Sequence, residues 1–218
     1  MEFKISDDLV EYQDAVSFME NRVAAIREGT ADELVWFLEH PPLYTAGTSA
    51  NSQDLLNAKF PVFETGRGGQ YTYHGPGQLV AYVMLNLRKQ GADPDIKKYI
   101  HNLEQWIINS LAELCITGER REGRVGIWVK SPLPSREGWV RGDDSDESKI
   151  AAIGVRVRHW VTYHGISINI DPDLSHFGGI VPCGISEHGV CSLKSLGIKT
   201  SINEVQKILQ DQWDKIFN

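Results

Sequence analysis

The chain has 218 residues, with 22 Lys plus Arg against 29 Asp plus Glu, a net charge of −7. A 41% hydrophobic and 23% charged composition is that of a globular protein and excludes a disordered or collagen-like chain. The acidic balance argues against a general nucleic-acid or anionic-membrane binder. The strongly apolar run Leu79 to Leu85 is far short of the roughly 18 residues a membrane span needs. Three cysteines, Cys115, Cys183 and Cys191, make no disulfide framework. With the polar start Met1 to Asp8, unlike a secretory signal, they point to a reducing cytoplasm.

Apolar residues at Leu9, Tyr12, Val16, Met19, Val23 and Ile26 form one stripe of an amphipathic helix, capped by Asp7 or Asp8 and stopped at Gly29. Glu33 to Glu39 reads as a buried strand ended by His40-Pro41-Pro42. Residues 43–60 read as irregular, and Val62 to Glu64 as a short strand. The segment Gly66 to Gln78 carries five glycines and is built for unusual backbone shape. Leu79 to Leu87 reads as a central strand. Asp93-Pro94 opens a second helix with the stripe Ile96, Ile100, Leu103, Ile107, Leu111 and Leu114. Val125 to Val129 reads as a strand, and 131–148, with two prolines and clustered acids, as a surface insertion. Ile150 to Val157 and Val161 to Ile170 read as strands. Asp171 to Ile198 reads as loop and short elements, and Ser201-Ile202-Asn203-Glu204 as the capping box of a last helix. Helices at the start, middle and end with clustered strands between them predict one α+β domain, residues 1–218, with a mixed β-sheet and flanking helices.

Two stretches carry candidate chemistry. Arg67-Gly68-Gly69-Gln70-Tyr71-Thr72-Tyr73-His74 precedes Gly75-Pro76-Gly77 and a strand. It reads either as a tight hairpin around a buried His74 or as a ligand loop, whose exposed N–H groups and Arg67 fork bind an anion or carbonyl oxygen. Its spacing fits neither a Walker loop nor a dinucleotide fingerprint. Pro182-Cys183-Gly184 sets a cysteine in a rigid turn, which suits either a packed small side chain or an exposed nucleophile. A nucleophilic cysteine needs a base, and His74, His164 and Lys149 are the candidates; Lys149 precedes an apolar strand that would partly desolvate its amine. Cys115 and Cys191 read as structural. His176, Cys183, His188 and Cys191 lack the usual zinc-knuckle spacing, so no metal is expected.

Taken in order, RGGQYTYHGPGQLVAY, GRVGIWV, KIAAIGVRV, YHGISINI and PCGI closely resemble the octanoyltransferases of lipoate biosynthesis, over about Glu39 to Gly197. The resemblance implies a fold like the catalytic domain of biotin and lipoate protein ligases. It implies octanoyl transfer from acyl carrier protein to a lysine of lipoyl domains, those of 2-oxoacid dehydrogenase complexes and the glycine cleavage H protein. Cys183 would be the acyl-thioester nucleophile and Lys149 its activator. The substrate pocket would be Arg67 to His74, Ala152-Ile153-Gly154 and Gly165-Ile166-Ser167. No cofactor beyond the donor's own phosphopantetheine is implied. Gln70-Tyr71 departs from the smaller pair expected there. An acidic carrier would dock on a local basic patch, with Arg120, Arg121, Arg124, Arg156 and Arg158 as candidates. The rivals are an ATP-dependent lipoate or biotin ligase and a non-catalytic lipoyl-domain or carrier-binding module.

Overall fold

The computed structural model describes residues 1–89, 93–130, 147–181 and 189–217. Its elements in chain order are β1 (Glu2–Ile5), α1 (Tyr12–Glu28), β2 (Leu34–Leu38), β3 (Leu43–Ala46), β4 (Val62–Glu64), β5 (Tyr71–His74) and β6 (Gln78–Met84). There follow α2 (Ile96–Ala112), β7 (Ile127–Lys130), β8 (Glu147–Arg158), β9 (Val161–Asn169), β10 (Gly189–Val190) and α3 (Ile202–Phe217). Among the described residues the strands make two sheets. The larger runs β1-β2-β6-β9-β8-β10, with β7 also paired to β8; the smaller is β4-β3-β5. Pairing is parallel for β1 with β2 and β10 with β8, and antiparallel through β2, β6, β9 and β8. The expected α+β class with a mixed sheet is what the chain adopts.

The central strands read as unbroken apolar runs because helices cover both faces. In β2 and β6, Leu34, Trp36, Leu38, Val80, Tyr82 and Met84 face α1 and its stripe Ala15, Met19, Val23 and Ile26. Val35, Phe37, Leu79, Ala81 and Val83 face the other way, into the core with Leu103, Trp106, Leu209 and Trp213 of α2 and α3. One strand thus feeds two cores by strict alternation.

Several expectations need correction. Glu2–Ile5, Leu43–Ala46 and Tyr71–His74 are strands, which short polar composition concealed. The N-cap of α1 is Glu11, not Asp7 or Asp8. That of α2 is Asp95, whose carboxylate accepts from Lys97 N and Lys98 N, so Asp93-Pro94 lies before the helix. Gly29 does end α1, in the left-handed conformation at φ 74°. Cys115 lies beyond the end of α2, exposed and at φ 58°, and is not a packed residue. Cys191 is buried as expected. Of the expected insertion 131–148, Glu147 and Ser148 belong to β8, paired with Lys130 and Val129; residues 131–146 lie outside the described residues.

Candidate active site

A cavity of ≈270 Å³ opens on the α1 face of the large sheet, beyond the first turn of that helix. Small side chains create it. The directly opposed pairs Ala152–Ser167 and Gly154–Gly165 of β8 and β9 line its floor beside Val80 and Tyr82 of β6. A Cβ at Gly165 would meet Ala81 O at 2.1 Å, and one at Gly154 would meet Arg67 Cδ at 2.9 Å. Ile153 and Ile166 also border the cavity, but their side chains pack into the α2–α3 core, so they offer it backbone only.

The glycine-rich loop forms one wall. Arg67, Gly69, Gln70, Tyr71, Thr72 and His74 line the cavity, whereas Gly68 and Tyr73 do not. Tyr73 packs with Tyr44 and Phe177 and hydrogen-bonds His176 Nδ1 at 2.8 Å. Arg67 is tied to the protein itself: its guanidinium donates to Thr45 O (2.8 Å), Thr45 Oγ1 (2.7 Å), Gly68 O (2.9 Å) and Gln70 O (2.9 Å). The fork expected to meet an anion therefore shapes the loop.

Lys149 lies at the cavity wall, 6% exposed, and donates to Val125 O at 2.9 Å. A β-bulge aims it. Ile127 pairs with Ala151 but Trp128 pairs with Lys149, so Ile150 is an extra residue. Ile150 and Ala151 both enter the α2–α3 core, and Lys149 and Ala152 therefore both reach the cavity. Gly126, at φ 125°, makes room: a Cβ there would meet Lys149 Cε at 2.8 Å and Ala151 O at 2.7 Å. Lys149 Nζ also lies 5.0 Å from the centre of the Trp128 ring. The stretch Gly123 to Trp128 is thus the seat of Lys149.

The two histidines weighed as bases are both buried here. Burial pushes His74 and His164 down to about 3, with the Arg67 charge acting in the same direction. His74 Nδ1 hydrogen-bonds Gln78 Oε1 at 2.6 Å. Such weakly basic imidazoles are poor proton acceptors near neutrality. His164 sits at φ 58° within β9, a strained conformation for a side-chain-bearing residue, and stacks on Tyr163.

Other residues of the site escaped sequence reasoning. Tyr12 lines the cavity, yet its place in the α1 stripe marks it only as core; its buried hydroxyl has no hydrogen-bond partner among the described residues. His40 Nδ1 donates to Val10 O at 2.6 Å, and its Nε2 shares a 2.6 Å hydrogen bond with the Tyr82 hydroxyl. Burial holds His40 down to about 4. Glu39 accepts from Gly77 N at 2.6 Å, so the Glu39-His40 pair ties the start of α1 and the Gly75–Gly77 turn to the cavity floor. Ser49 and Arg124 complete the wall.

The expected docking arginines separate. Arg120 pairs with Glu104, Arg121 with Glu119 and Glu147, and Arg124 with Glu147, so these three are engaged within the chain. Arg156 and Arg158 are exposed on β8. Cys183 lies outside the described residues. The strand that follows it in sequence, β10, is paired with β8 so that Val190 opposes Lys149.

Residues 11–214 match the model of the lipoyl protein ligase A/B catalytic domain. An octanoyltransferase of Paramagnetospirillum magneticum is 59% identical over 218 residues, covering all of this chain and 97% of the relative. One of Brucella melitensis biotype 1 is 57% identical over the whole chain and 81% of its own length. Among solved structures, lipoate-protein ligase A bound with ATP superposes with a TM-score of 0.70 at 16% identity, over 99% of this chain and 85% of that one. The biotin protein ligase of Aquifex aeolicus reaches 0.52 at 10%, over 99% and 68%. At those identities the likeness is one of fold, and it agrees with the ligase-like sheet and flanking helices described above. No described helix is long and apolar enough to cross a membrane. The chain belongs to the lipoyl protein ligase A/B catalytic-domain family, among its octanoyltransferases.

Proposed function

We propose that this protein moves an octanoyl group from acyl carrier protein to the lysine of a lipoyl domain through a thioester on Cys183, with Lys149 as the proton carrier. The observation that carries the reading is the seat of Lys149: a bulge, a left-handed glycine and a carbonyl combine to hold one amine at the wall of a cavity floored by small residues. A lysine placed merely to cover the surface needs none of these.

In the first half-reaction the Cys183 thiol gives its proton to Lys149 Nζ. The thiolate attacks the thioester carbonyl, the bond from carbonyl carbon to donor sulfur breaks, and the leaving thiolate takes the proton back from Lys149. In the second, the acceptor lysine amine attacks the acyl-cysteine. Its proton passes to Lys149, the bond from carbonyl carbon to Cys183 Sγ breaks as the amide forms, and Lys149 gives the proton to the leaving thiolate. The acyl group arrives already activated, so the reaction needs no ATP. The apolar floor around Val80 and Ala152 takes the alkyl chain, at about 0.8 kcal/mol per buried methylene. The acceptors are the lipoyl domains of 2-oxoacid dehydrogenase complexes and the glycine cleavage H protein.

The test is transfer from octanoyl-carrier to a lipoyl domain with protein freed of nucleotide by gel filtration, no ATP added and EDTA in excess. Full activity is expected. Strict dependence on ATP and magnesium would assign the chain to adenylate chemistry.

A further inference from the structure

At the tip of the β8–β9 hairpin, nine residues along β8 from Lys149, the surface holds a second concavity of ≈260 Å³. Its walls are Arg27 in the last turn of α1, Asn86 and Arg88 after β6, and His159, Trp160 and Val161 at the hairpin tip. Every ionisable side chain in that wall is basic, in a chain of net charge −7. Arg158 stands exposed next to it.

These cations differ from the arginines that follow α2. Arg120, Arg121 and Arg124 are neutralised by Glu104, Glu119 and Glu147. Among the described residues Arg27, Arg88 and Arg158 form no ion pair and donate no side-chain hydrogen bond. Asn86 Oδ1 is taken by Arg88 N at 3.1 Å, so the amide nitrogen is left as a donor. Glu33 Oε1 accepts from Asn86 N at 2.7 Å, so one carboxylate stands beside the wall without an ion pair to its arginines. The wall therefore offers donors: two guanidinium groups, an imidazole, an amide and the Trp160 indole N–H. Such a set matches oxygen atoms bearing negative charge.

The turn itself adds a second observation. His159 and Trp160 sit at φ 53° and 67°, both left-handed, in a two-residue loop where Asn-Gly is the unstrained choice. Two bulky side chains held in that state, at the rim of an unpaired cationic hollow, fit the tendency of strain to gather at ligand sites.

We propose that this concavity is an anion-binding site for carboxylate or phosphate oxygens, separate from the cavity beside Lys149. The oxygens come either from a dissolved oxyanion or from an acidic group on a protein substrate, and the experiment distinguishes the two.

The full chain is titrated with inorganic phosphate at constant ionic strength, balanced with chloride, while the indole resonance of Trp160 is followed by NMR. Saturable shifts confined to Arg27 and residues 86–88 and 159–161 are expected, weakened at least about tenfold in Arg88→Gln and largely kept in Arg88→Lys, which retains the cation. Absence of saturation, or equal binding by Arg88→Gln, overturns the site. The source follows from steady-state transfer by Arg27→Gln/Arg88→Gln. A KM raised about tenfold for octanoyl-carrier, with kcat and the octanoyl-pantetheine reaction unchanged, places the anion on the carrier. Unchanged kinetics with both donors, alongside saturable phosphate binding, places it on a dissolved oxyanion. Binding is read without turnover, so failure of the thioester reading leaves this result intact.

Discussion

Gly126 shows how much of the proposed chemistry depends on a missing methyl group. At its φ of 125°, a Cβ would come within 2.8 Å of Lys149 Cε and crowd the amine where it meets the cavity. Gly126→Ala is expected to fold with the same secondary structure but to lower kcat at least tenfold, because a displacement of about 1 Å at a reacting group costs up to about a hundredfold. Stopped-flow transfer and circular dichroism together check this; wild-type kcat in the variant would show that Lys149 needs no such seat. The base assignment follows the same logic of position. His74 and His164 line the cavity but are held at about 3 by burial, whereas Lys149 is buried with its amine directed at a carbonyl. The sequence brought all three forward as candidates and could not rank them, since ranking requires knowing what surrounds each ring or amine.

Elements were legible where burial on both faces writes a continuous apolar run or a helix writes a stripe. The strands at Leu34–Leu38 and Gln78–Met84 and all three helices are of this kind. Strands Glu2–Ile5 and Leu43–Ala46 were not, because β1 is an edge with polar residues and β3 is the four-residue centre of a second small sheet, between β4 and β5, that composition does not announce. Bulges are equally silent: nothing in Lys149-Ile150-Ala151 says that two successive side chains enter the same core. The glycine-rich loop was legible as a site wall but not in its detail, since Arg67 spends its fork on Thr45 and on its own loop. Helix ends give a direct check. Asp95→Ala should destabilise the protein by about 1 kcal/mol, the usual worth of an N-cap, while Asp93→Ala should change little. Urea denaturation of the two variants measures this, and the reverse order would return the cap to Asp93.

Across the whole molecule, the buried neutral histidines couple the fold to pH. His40, His74 and His164 are held at about 4, 3 and 3, below the usual 6.5. The unfolded chain therefore binds more protons than the folded one between those values and 6.5. Stability is full above 6.5 and falls as the pH drops through that window. Three such groups remove roughly 3 kcal/mol between pH 6.5 and 5.5. Urea midpoints measured at fixed ionic strength should fall accordingly, with an unchanged m-value; a flat profile over that interval would mean that the three rings are hydrated.

Intact-mass spectrometry in single turnover reaches the central claim most directly. The protein is mixed with octanoyl-carrier without acceptor, quenched in acid, and compared with Cys183→Ala, Cys115→Ala, Cys191→Ala, Lys149→Ala and Lys149→Arg. The account predicts one octanoyl adduct, cleaved by hydroxylamine, in the parent chain and in Cys115→Ala and Cys191→Ala. It predicts none in Cys183→Ala, and formation slowed at least about a hundredfold in both lysine variants, since a guanidinium stays protonated and cannot replace the amine. An adduct that persists in Cys183→Ala, or that forms at the parent rate in Lys149→Ala, would contradict it.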